Sequence, residues 1–156
     1  MQPLNQKAQT KVEARYPGLV VVWFGQLMSI AALVGFSLFL VPETSDLPVT
    51  ATGSLLRVVL TALGVFFVVA SFAVKRKLLN QSVAEQQINL VQKAFVIAVV
   101  MCEVCAIIGV IERFLTSHHD YYFLFVLAAA GTMFHFPRRE HLVAASYKIS
   151  GNESTL

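Results

Sequence analysis

The sequence predicts an all-α, polytopic membrane protein: a four-transmembrane-helix bundle with both termini in the cytoplasm. The apolar residues gather in long runs bounded by charge or proline, the pattern of segments solvated by lipid. Only 13% of residues are charged and 56% are hydrophobic, whereas a soluble domain carries about a quarter charged. Mean hydropathy is +0.67. Ten of the twelve Lys and Arg fall in segments that a four-crossing path puts on one side, and the positive-inside rule assigns that side to the cytoplasm.

Each element has its own signal. Residues 1–17 are polar and mixed in charge and are predicted as a cytoplasmic tail, with a short surface helix as the alternative, closed by the Pro17-Gly18 punctuation. The first span covers 19–41, 23 positions without a charge, and Pro42 ends it. At about 1.5 Å per residue it crosses the ~30 Å hydrocarbon layer with some tilt. It is about twice as long as a signal-peptide core and follows a long polar segment, so it reads as a retained span despite a weak cleavage motif at Val49-Thr50-Ala51. Glu43 to Ser54 reads as a turn-rich outer loop. The second span covers 55–74. Arg57 at its outer end can extend to the headgroups, and Lys75-Arg76-Lys77 stops it.

Ser82-Val83-Ala84-Glu85 fits a capping box, so the third helix is predicted from about residue 82, its polar first turns in the cytoplasm and its span at 94–114. Glu112-Arg113 reads as a boundary charge pair. Thr116 to Asp120 is predicted as a tight outer loop. The last span covers 121–136, with Tyr121 and Tyr122 anchored at the interface and Pro137-Arg138-Arg139 at its close. The membrane domain is thus 18–142, followed by a cytoplasmic tail at 143–156.

Glu103 stands out chemically. It lies ten positions from Lys93 and eight from Ile111, near the middle of its span. A charged carboxylate there costs at least ~2.5–3.5 kcal/mol, so it takes a proton or a partner. Residues of this kind line ion or proton paths, or fasten helices together as buried polar contacts. The second reading is the plainer one. By depth the candidate partners are Gln26 and Ser29 on the first span and Thr132 on the fourth.

Cys102 and Cys105 flank Glu103 in a Cys-x-x-Cys spacing that elsewhere supports redox or metal chemistry. Hydrocarbon disfavours the thiolate, so both are predicted as small hydrophobes. No disulfide framework is implied. His118, His119 and Asp120 are weak candidate metal ligands, because three adjacent loop residues seldom converge on one ion. His135 is expected to hydrogen-bond at the interface, since no second axial ligand at its depth supports haem. No cofactor is expected, and no basic patch suggests nucleic acid.

Two resemblances attach to these residues. Glu103-Val-Cys-Ala106-Ile107-Ile-Gly109 resembles the carboxylate-bearing stretch of the rotary ATP synthase c subunit, in which Glu is followed by Ala-Ile-x-Gly. That likeness covers about seven residues and does not extend to the family's Gly-rich packing helix. It implies a proton-carrying role for Glu103. The wider segment 87–138, with Glu103 to Gly109, Tyr121-Tyr122 and Phe136-Pro137-Arg138, is similar to small bacterial integral membrane proteins of unknown activity. It implies a bacterial plasma membrane.

The functional expectation is a non-enzymatic small membrane protein, an accessory subunit or a homo-oligomer, whose partners are the lipid bilayer and other membrane chains. A proton- or ion-coupled carrier using Glu103 is the alternative, and a metal- or haem-linked redox protein the weaker one.

Overall fold

The computed structural model describes residues 6–40, 51–116 and 121–146. Its regular elements there are the helices α1 (Gln6–Leu40), α2 (Ala51–Glu85), α3 (Ile88–Thr116), α4 (Tyr121–Phe134) and α5 (Arg139–Ala144). Three of them, α1, α2 and α3, are long and apolar enough to cross a membrane; α4 is apolar but shorter.

The third helix is the axis of the bundle. Half of its apolar window (50%) is buried, against 17% for α2 and 11% for α1. It packs antiparallel to α2, and the two approach α4 where glycine permits. A Cβ at Gly64 would lie 2.6 Å from Leu124 Cδ2 and 3.2 Å from Cys105 Sγ, and one at Gly109 would lie 3.2 Å from Leu124 Cβ. The missing side chains let Leu124, Cys105, Ala106, Val68 and Ile30 form one core shared by α1, α2, α3 and α4. Large apolar side chains such as Phe24, Phe39, Leu55, Phe66, Val126 and Phe134 face outward. Water would drive so apolar an exterior to associate, whereas lipid solvates it.

The first helix starts at Gln6, ahead of the predicted span, and runs through Pro17. Proline removes one backbone donor and strains the preceding turn, so a compensating gain is needed. Val12, Tyr16, Leu19 and Trp23 recur at alternating spacings of four and three, and their stripe packs on Ile88, Val91, Phe95, Leu142 and Ala145. Pro17 and Gly18 lie off that stripe, exposed. The predicted polar tail is thus largely a helical extension with a core of its own.

The second helix likewise overruns its predicted limits, from Ala51 in the expected outer loop to Glu85. Ser82 does not cap a new helix: its hydroxyl donates back to Leu79 O at 2.7 Å, inside α2. The break comes at Gln86, which adopts φ 55, while Gln87 N donates to Ser82 O at 3.1 Å. This is a Schellman-type closure with glutamine in the left-handed position usually held by glycine. Hence α3 begins at Ile88 rather than near 82.

The fourth helix ends at Phe134, two residues short of its predicted limit. Pro137 cannot donate and disfavours a helical Phe136. A further helix, α5, occupies 139–144, across the predicted start of the C-terminal tail, and buries Leu142. Arg15 hydrogen-bonds Asn89, and Arg139 Nη2 meets Glu13 Oε1 at 3.1 Å. These contacts gather the start of α1, the α2–α3 turn and α5 at one end of the bundle.

Candidate functional site

Midway along α3, beside the buried Cys102 and Ala106, Glu103 is half-buried and faces α1. Ser29 Oγ donates to Glu103 Oε1 at 2.5 Å. The contact joins two elements 74 positions apart in sequence. Gln26, one turn earlier on α1, makes no bond to Glu103, and its buried Nε2 has no hydrogen-bond partner among the described residues. Thr132 is also engaged elsewhere: its hydroxyl donates to Ala128 O at 2.9 Å, and its carbonyl accepts from Trp23 Nε1 at 2.9 Å. Trp23 sets its ring edge-on to Phe136, centroids 5.1 Å apart, so it clamps α1 onto α4.

A second polar group lies where α4 ends. His135 is fully buried within the bundle, with the Phe72 ring 4.4 Å away. Ser71 Oγ donates its single proton to Val68 O at 2.6 Å. Its oxygen is then an acceptor, so His135 Nε2 carries the proton across their 2.8 Å contact. That leaves Nδ1 to accept from Lys75 Nζ at 3.4 Å. The network therefore holds a neutral imidazole in one tautomer, and Cys102 Sγ lies 3.8 Å from the same serine oxygen. No pattern in the sequence announces this group. Ser71 and Lys75 are one helical turn apart, but their partner comes from another helix.

Cys102 and Cys105 are free and buried. Cys105 Sγ donates to Leu124 O at 3.5 Å, so the two thiols serve different neighbours. Glu112 and Arg113 are both buried near the end of α3, and the Arg113 guanidinium stacks over Tyr121 with its carbon 4.9 Å from the ring centroid, a cation–π contact. His118, His119 and Asp120 lie outside the described residues. Among the described residues, no three His, Cys, Asp or Glu side chains converge on a place for a metal.

His141 on α5 is half-buried near Lys75 and Arg138. Burial, then the charges of Lys75 and Arg138, hold its imidazole below the ordinary histidine range, and Glu140 opposes them.

Midway along the bundle the geometry thus offers a cross-helix carboxyl contact between α3 and α1, and at the end of α4 an imidazole network with two partners on α2. Compared with known proteins, the chain matches no family model, no curated protein and no solved structure.

Proposed function

We propose that the chain is a four-span integral membrane protein of a bacterial plasma membrane, with both termini in the cytoplasm, and that it acts without catalysis as an accessory or oligomeric membrane component. The exposed apolar exterior and the basic residues gathered with the α2–α3 turn and α5 support that placement. The observation that carries the functional reading is the Ser29–Glu103 bond, which uses the mid-span carboxyl to fasten α1 to α3. The first helix is otherwise the least buried of the long helices, so one polar contact weighs heavily in its docking. Interhelical hydrogen bonds in membranes contribute about 0.6–2 kcal/mol.

Glutamine keeps an acceptor for Ser29 and removes the titratable group; leucine removes both. A fastening role therefore predicts near-native thermal stability in detergent for Glu103→Gln and a loss of about 1–2 kcal/mol for Glu103→Leu. Proton flux into liposomes that disappears in Glu103→Gln while stability is kept would replace this reading with a proton-coupled carrier, the role implied by the resemblance around Glu103.

A further inference from the structure

Along its length α3 is covered from three sides and open on the fourth. It packs against α2, α4 and α1, whereas α1 and α2 barely touch one another. Cys105 meets Leu124 of α4, Glu103 meets Ser29 of α1 and Cys102 meets Ser71 of α2. The uncovered side is a stripe of Lys93, Ile97, Val100, Val104, Ile107 and Ile111, at alternating spacings of four and three. All are exposed except the half-buried Val104, on the helix that is otherwise the most buried of the bundle. At the α5 end of the molecule the stripe widens into a groove of about 480 Å³, where Gln87, Gln92 and Lys93 stand beside Leu90, Val96 and Ile97.

Alternating spacings of four and three make the seam of two helices crossing at about 20°, the commonest crossing between membrane helices. Valine and isoleucine hold nearly one rotamer in a helix, so a second helix that covers them takes little freedom away. Lys93 specifies the charge of that helix. Among the described residues it forms no ion pair, and the amides beside it carry no charge. A second copy does not complement it. A symmetric parallel pair would set Lys93 against Lys93, and the boundaries of α2 and α4 on this side are basic too, at Lys75-Arg76-Lys77 and Arg138-Arg139. Glu13 is held by Arg139, and Glu85 closes α2 beyond the start of α3. We infer, on the footing of the accessory role proposed above, that the open side of α3 receives one transmembrane helix of a different chain, with an aspartate or glutamate opposite Lys93.

A photoreactive benzophenone side chain placed at Ile97 or at Ile107 of the full-length protein, in its native membrane, tests this. Phe134 on α4, likewise exposed, is the control position. Both stripe positions are expected to cross-link to the same foreign polypeptide. Fragment mass spectrometry should place the adduct in a transmembrane segment with Asp or Glu at its end on the Lys93 side. Lys93→Glu should lower the yield at Ile97 about fivefold, and Lys93→Arg should keep it. Lys93 is exposed, so both variants are expected to keep the wild-type thermal midpoint in detergent; if Lys93→Glu does not, Lys93→Gln carries the test. Adducts to lipid alone, to a second copy or to a segment without an acid would overturn the inference, as would a yield unchanged by loss of the Lys93 charge. A foreign polypeptide captured at Phe134 and not at Ile97 would sink this face while leaving the accessory role standing.

Discussion

Gly131 shows how much of this fold is decided by single atoms. A methyl group there would lie 2.9 Å from Cys102 Sγ and 3.1 Å from Val68 Cγ1, and both neighbours are buried. Gly131→Ala is expected to cost about 1–3 kcal/mol by overpacking, read as a lowered midpoint in detergent denaturation. Adding Cys102→Ala should return part of that loss; no recovery would show that the backbone, not the thiol, sets the limit. At this scale the sequence was partly legible. Glu103 was conspicuous because an acid in hydrocarbon is exceptional. Its depth proposed Gln26, Ser29 and Thr132 alike, because depth does not fix how each helix is rotated about its axis. The structure gives the bond to Ser29. His135 was harder to read. Its position near Pro137 and Arg138 suggested hydrogen bonding at the boundary, but the partners that bury it, Ser71, Phe72 and Lys75, come from α2 and leave no local signal.

Helix boundaries were legible where hydropathy changes and obscured where packing overrides a local rule. Pro17 and the Ser82–Glu85 pattern both suggested edges, yet α1 and α2 run through them. The stripe through Val12, Tyr16, Leu19 and Trp23 crosses Pro17 unbroken, but its partners lie in α3 and α5, out of view of any local window. Gln86 gave no warning either, since glutamine seldom occupies a left-handed turn. The short α5 depends on the same partners, and His141 couples its docking to pH. Its folded-state pKa lies below the ordinary 6.5, so the folded protein binds fewer protons than the unfolded chain. The stabilisation is complete above 6.5 and declines as pH falls through the folded-state value. Backbone hydrogen exchange at 139–146, corrected for intrinsic rates, should therefore quicken relative to α3 as pH is lowered below about 6.5. His141→Phe should flatten the dependence. An unchanged slope in that variant would assign the effect to another group.

The molecule as a whole was the most legible level: an all-helical chain with apolar helices of spanning length follows from composition and run length alone. Its uneven thickness was not apparent, because residues 121–136 read as a span slightly longer than the helix they form. The fourth helix has 14 residues, about 21 Å of rise, against a hydrocarbon layer of ~30 Å. The long helices beside it have no such shortfall. Thermal stability in phosphatidylcholine of graded acyl length should consequently peak at shorter chains than a uniform bundle of α1–α3 length would favour, and a maximum in long-chain lipid would contradict this. In the proposed four-span arrangement the bilayer on the α4 side would dimple inward to meet the protein, a deformation that carries elastic energy. Two such dimples cost less merged than apart, so the membrane itself would draw neighbouring copies together along their thin sides.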